Sequence, residues 1–334
     1  MRYFFLIAVL TLSCARIIPP LAPKKKGKLC EEPQCLEVDQ LFWTTFHNGD
    51  YTEVEAVIER MTAVYLDHNR DWRLAAHLGF LHSWALAEND RAAERTARVT
   101  DHSTLSAKYF REAVRLNPEK DWRYYGFLVS MQMAEGGIHG DMQDMTRGYF
   151  QMKKAVRKYP EFNLFTAAYT LAMSPRRKDR ENAVEMLWKN LEKCVGERID
   201  REELDYRKYL DQKEIGGKMS TCWNTWIAPH NMEGFLLILG DLLVKQGELP
   251  LALRVYRNAQ YFPEYDYWSH RPQLERRLEL TELALQRQEK LSDPDFPKFD
   301  RCMVCHQEKL LREPPADVHL QLPDMEVSSN LRGE

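Results

Sequence analysis

Apolar residues recur three and four positions apart along most of the chain between residues 37 and 292, and that period predicts helices. Val54, Val57, Ile58, Met61 and Val64-Tyr65 trace one such stripe, a face that needs a partner to cover it. No stretch alternates apolar and polar positions for long enough to read as a strand. Glycine and proline number 15 and 16 in 334 residues, few enough to leave long helices uninterrupted. The expected fold class is all-α.

The helical pattern repeats. Ser106, Phe110, Ala113 and Pro118 are matched in spacing by Gly148, Met152, Ala155 and Pro160, and nearly so by Ala252, Tyr256, Ala259 and Pro263. Small residues let a second helix approach its partner, the large one fills the groove, and proline stops the helix. Matching first helices carry Leu239-Gly240 with Leu243, the trio Trp122, Tyr125 and Gly126, and Leu78-Gly79 with His82. These positions resemble the tetratricopeptide repeat. The resemblance implies a superhelical array of divergent, TPR-like helical hairpins over more than half of the chain, with a concave face suited to a protein partner. The sequence departs from the family in three places. Only residues 233–266 keep the uninterrupted repeat length of about 34 residues. The repeats beginning near Trp72 and Trp122 carry extra residues between their helices, the second including Gly136-Gly137-Ile138-His139-Gly140-Asp141, and residues 176–232 match poorly. A generic antiparallel helical domain is the alternative.

The ends differ from the body. Met1-Arg2 and the nearly unbroken apolar run Phe4 to Leu12 read as a secretory signal, too short for a membrane span. Leu12-Ser13-Cys14 resembles a loose bacterial lipobox, with Thr11 as its departure. Residues 1–14 are then a signal peptide, Cys14 the lipidated residue, and the protein an outer-membrane lipoprotein of the periplasm; cleavage after Ala15 would give a free periplasmic form. Residues 15–36, with Pro19, Pro20, Pro23 and the basic run Lys24 to Lys28, read as an extended tether.

Near the other end, Cys302-Met303-Val304-Cys305-His306 is the C-x-x-C-H attachment signature of c-type haem. Two thiols add to the vinyl groups, and the adjacent imidazole becomes the proximal iron ligand. The expected cofactor is haem c, held by Cys302, Cys305 and His306. The tail, 293–334, is too short after the motif for a cytochrome domain of its own, so a haem would lie against the helical body. Met325 and His319 are the distal candidates, the first favouring a higher potential. A redox-active cysteine pair and half of a zinc site are competing readings of the same residues. Of the seven cysteines, Cys30, Cys35, Cys194 and Cys222 remain. In an oxidising compartment they allow two disulfides in three connectivities, of which Cys30–Cys35 with Cys194–Cys222 is the simplest.

Within the body, two stretches read less like packing. His139 and Asp141 lie in the glycine-rich insertion. Trp223, Trp226, His230 and Asn231 lie in Cys222-Trp223-Asn224-Thr225-Trp226-Ile227-Ala228-Pro229-His230-Asn231, where Asn231 is a plausible N-cap. These six are the ligand-binding candidates. No G-x-S-x-G, H-E-x-x-H or glycine-rich phosphate loop is present, which argues against the common hydrolase and transferase sites. With 47 basic and 50 acidic residues, nothing marks a nucleic-acid surface. The expectation is an exported scaffold that carries one haem for electron transfer with a docked redox partner. The alternative is a haem-free binding lipoprotein that recognises a protein or small ligand on its helical surface.

Overall fold

A computed structural model describes residues 24–89, 97–174, 176–211, 217–291 and 303–308. They form the expected all-α array. In chain order the helices are α1 (Pro33–Asn48), α2 (Val54–Asp67), α3 (Trp72–Ala87), α4 (Arg98–Leu116), α5 (Trp122–His139) and α6 (Met142–Lys158). They continue with α7 (Pro160–Ala172), α8 (Arg177–Val195), α9 (Asn231–Gln246), α10 (Leu249–Ala259), α11 (Arg271–Arg287) and the single turn α12 (Met303–His306). Among the described residues, extended pairing is limited to one antiparallel bridge, Trp268 with Glu308.

Most helices pack on their neighbours in the chain, and the repeated spacing explains how. Ser106, Phe110 and Ala113 are buried on α4, Gly148, Met152 and Ala155 on α6, and Ala252, Tyr256 and Ala259 on α10. In all three pairs a large residue meets a glycine across the helices, Phe110 at Gly79, Tyr256 at Gly240 and, with the roles exchanged, Met133 at Gly148. A Cβ at Gly79 of α3 would lie 2.9 Å from the Phe110 ring, and one at Gly240 of α9 would collide with Tyr256. The Ser106 hydroxyl donates to the Gly79 carbonyl at 2.8 Å, which a bulkier neighbour would block. At the start of α3 and α5 the tripeptide Asp-Trp-Arg recurs. Asp71 accepts from the backbone N–H of Arg73 and Leu74, Asp121 from that of Arg123, so each aspartate is a helix cap that also holds its arginine.

Two apolar cores result. One runs from Cys30 to Tyr124, the other from Ala168 to Ala284, and a small cluster around Val129 and Met152 lies between them in sequence. Each large core carries a buried ion pair: Arg73 lies 3.5 Å from Asp39, and Arg277 lies 3.1 Å from Asp241, which also accepts from the Tyr256 hydroxyl. Both disulfides of the simplest connectivity are present, Cys30–Cys35 and Cys194–Cys222. The charge-rich α8 buries one side through Ala183, Val184, Leu187, Trp188 and Leu191.

Three expectations need correction. The tether does not stay free as far as residue 36. Lys28 donates its N–H to the Arg70 carbonyl at 2.9 Å, Arg70 returns a bond to the Lys26 carbonyl, and Cys30 donates to the Asp71 carboxylate at 2.8 Å. Lys25 faces Glu112 at 3.5 Å, so part of the basic run finds acceptors on the body, and α1 already begins at Pro33. Second, the insertion at Gly136 to Asp141 is not a separate segment between two helices. Gly136 to His139 extend α5, Gly140 ends it at φ 69°, and the Asp141 carboxylate caps α6 through Gln143 and Asp144. Third, Asn231 is the first helical residue of α9 and not its cap. The side chain of Asn224 takes that part, accepting from the Met232 N–H at 2.9 Å. The signal peptide and Cys14 lie outside the described residues.

Three outcomes follow for stability, two at glycines and one at a buried histidine. Gly240→Ala should cost about 1–3 kcal/mol through overpacking against Tyr256. Gly137→Ala, in an exposed helical position with nothing within 4 Å, should gain about 0.5–1 kcal/mol, both read from urea unfolding. His82 is buried 3.0 Å from His102, and burial first, the His102 charge second, push its pKa down to about 3. The unfolded chain therefore binds a proton near pH 6.5 that the folded chain refuses. Stability from this group is complete above pH 6.5 and falls as pH drops towards 3. The urea midpoint gap between wild type and His82→Gln should accordingly narrow between pH 7.5 and 4.

Candidate functional site

The α12 turn is part of C-x-x-C-H, and it is wedged into the body. Met303 belongs to the N-terminal core, while Val304 and Cys305 belong to the C-terminal core. Met303 and Val304 are 1% and 0% exposed, so this short segment contributes to both. Its backbone is held from three sides. The Val304 carbonyl accepts from the Trp268 indole N–H at 2.7 Å, and the Cys305 carbonyl accepts from the His230 N–H at 3.0 Å. On the other side, Glu308 donates its N–H to the His47 carbonyl at 3.0 Å, and Gln307 reaches the Asn48 carbonyl at 2.9 Å.

Two glycines make the seat possible. A Cβ at Gly234, in the first turn of α9, would lie 2.5 Å from the Cys305 sulfur and 3.0 Å from the Val304 carbonyl. Gly49 ends α1 at φ 69°, in the left-handed region, and a side chain there would meet Gln307. The motif thus packs where α9 and the end of α1 lack side chains.

The loop before α9 shapes the rest. Asn224 donates to Glu233 at 2.8 Å and to Glu264 at 3.2 Å while capping α9, and Asn231 donates to the Thr221 and Trp223 carbonyls. These bonds present the Ile227 carbonyl to His306, whose Nδ1–H donates to it at 2.7 Å. The Phe46 ring lies 4.7 Å from the His306 ring. Trp226 stands edge-on to both Trp43 and His47, at 4.9 and 4.7 Å. His306 is pushed down to about 4 by burial, with the Ile227 carbonyl acting against the shift. His47 is also pushed down to about 4, by burial first and then by His306, again opposed by Ile227. Both imidazoles are neutral at pH 7, the form in which histidine can act as a ligand.

The candidate residues separate accordingly. Cys305, His306, Trp226, His230 and Asn231 come together at this seat, and Trp223 is buried beside it against Tyr206. His230 contributes its backbone. Its ring is buried 3.3 Å from Glu233, and its Nε2 has no hydrogen-bond partner. His139 and Asp141 are exposed and take no part. Cys302, His319 and Met325 lie outside the described residues. Sequence reasoning missed His47, Phe46, Trp268 and Gly234. His47 carries a buried Nε2 without a hydrogen-bond partner among the described residues. Nothing in its local sequence marks it, because its role depends on a turn more than 250 residues away.

No family model, curated protein or solved structure matches the chain.

Alanine in a helix normally stabilises relative to glycine by about 1 kcal/mol. Gly234→Ala should reverse that sign, losing about 1–3 kcal/mol in urea unfolding because its methyl displaces Cys305 and Val304. A gain in stability would mean that the turn does not rest on α9.

Proposed function

We propose that the chain is an exported, lipid-anchored, tetratricopeptide-like scaffold that carries one covalent c-type haem and exchanges electrons with a redox partner docked on its helical surface. The observation that carries this reading is the bond from His306 Nδ1–H to the Ile227 carbonyl at 2.7 Å. It fixes the tautomer with the proton on Nδ1 and the lone pair on Nε2. A backbone carbonyl on the second nitrogen is how ligating histidines are commonly oriented and made more basic.

The residues fit the group in their chemistry. Cys302 and Cys305 would form the thioether links, and His306 would be the proximal ligand. Bound there, haem would supply one-electron redox chemistry. The chain's own part is to fix the imidazole through Ile227, to hold the motif backbone through Trp268 and His230, and to pack Phe46 against His306, with Trp43 and Trp226 against the neighbouring His47. Beside His319 and Met325, His47 is a further residue that could help hold the group, because its Nε2 is buried with no hydrogen-bond partner among the described residues. Anchoring through Cys14 and a place in the periplasm rest on the sequence of the first 15 residues. Both disulfides agree with an oxidising compartment.

One observation favours the haem-free alternative. Cys305 is 7% exposed and seated on Gly234, as a purely structural wedge would be. On that reading the turn closes a binding protein whose helical surface recognises a protein or small ligand.

The full chain made in a host with working c-type haem maturation separates the two. The haem reading predicts a Soret absorbance that survives denaturation and acid–acetone extraction, and that is lost in the Cys302→Ser/Cys305→Ser variant. A colourless product alongside a maturing control cytochrome would overturn it.

A further inference from the structure

Apart from this site, a cavity of about 300 Å³ opens between α5, α6, α7 and α8. Its wall is apolar and rich in methionine: Met133, Met152 and Met186, with Val156 and Leu171. The one hydroxyl of an aliphatic side chain on the wall, that of Thr170, is already used, donating to the Thr166 carbonyl at 2.8 Å and lying 2.9 Å from Ser130. Such a wall rewards an aliphatic guest and offers a polar one nothing. Flexible thioethers adapt to a chain of variable shape. A volume at the lower end of the range for small-molecule sites, about 300–1,000 Å³, suits a single acyl chain and is too small for a docked helix.

The rim has a different character. Tyr149, Lys153 and Arg157 lie four residues apart on α6 and form one row along the cavity. Lys153 sits over the Tyr149 ring at 4.5 Å. Neither Lys153 nor Arg157 pairs with a carboxylate among the described residues. Some surface cations of this chain are neutralised, such as Arg147 by Asp144 and Arg177 by Glu181, whereas Lys154 and Lys158, on the same helix as the cations beside the cavity, also have no carboxylate partner among the described residues. An apolar slot beneath two uncompensated cations is complementary to an aliphatic chain that ends in an anion.

We propose that this cavity binds the anion of a free medium-chain fatty acid, the chain between the methionines and the carboxylate against Lys153 and Arg157. The site is independent of the C-x-x-C-H turn and of whether haem is attached there.

Isothermal titration of the full chain with octanoate, nonanoate and decanoate tests it. The expected result is one saturable site per chain, tightening about fourfold with each added methylene. Decyltrimethylammonium should bind at least tenfold more weakly than decanoate. The exposed double variant Lys153→Glu/Arg157→Glu should weaken decanoate at least tenfold while leaving the circular dichroism unchanged. Ala167→Phe, which fills the slot, should abolish binding of both. Absence of saturation below the micelle concentration, equal affinity for the cationic analogue, indifference to the charge reversal, or association with anionic vesicles alone would each overturn the proposal.

Discussion

The turn at Met303 to His306 holds together parts of the molecule that the chain keeps far apart. Helical arrays of this kind are built mostly from contacts between neighbours, so their two ends have no reason to meet. Here Met303 completes one core, Val304 and Cys305 complete the other, and hydrogen bonds to His47, Asn48, His230 and Trp268 fix the turn between them. The apolar side chains favour the seat without specifying its orientation. The carbonyl acceptors supply the orientation, since each buried polar group of the turn needs a partner. His306 therefore has a defined direction.

Everything around the turn is arranged to permit that approach. Gly234 removes the side chain that would block the sulfur, and Gly49 lets α1 end where Gln307 must pass. The Asn224 side chain ties the preceding loop to Glu233 and Glu264, which keeps the Ile227 carbonyl in place. Within the N-terminal core that Met303 joins, Asp71 performs a similar office. It caps α3, holds Arg73 and accepts from Cys30, so the segment before α1 is strapped down and α1 itself is fixed beneath the turn. The Cys30–Cys35 disulfide ties that strap to the first helix.

Much of the array was legible in the sequence because its physics is local. The spacing of Ser106, Phe110 and Ala113, or of Ala252, Tyr256 and Ala259, states which residues must be small for two adjacent helices to touch, and Gly79 and Gly240 supply the matching gaps. Cysteine counting left three connectivities open, and the structure forms the simplest of them, which joins residues near in sequence. The C-x-x-C-H site was legible only as a motif. Its surroundings depend on long-range meetings: His47 and Phe46 come from the first helix, Gly234 and Trp268 from the last third of the chain. The same limit explains the errors. Lysines near residue 26 read as a solvated run until Arg70 and Glu112 are known to face them, and Asn231 reads as a cap until Asn224 is found in that position.

The folded body holds His306 by Nδ1 through the Ile227 carbonyl, which leaves the lone pair of the neutral ring on Nε2. Long-range nitrogen–proton correlation spectra of the full chain, made without haem-maturation machinery, test it directly. An Nδ1–H tautomer for His306 at pH 7 and an imidazole still neutral at pH 5.5 are expected, in keeping with a pKa lowered to about 4. An Nε2–H tautomer, or an ordinary titration near pH 6.5, would contradict it.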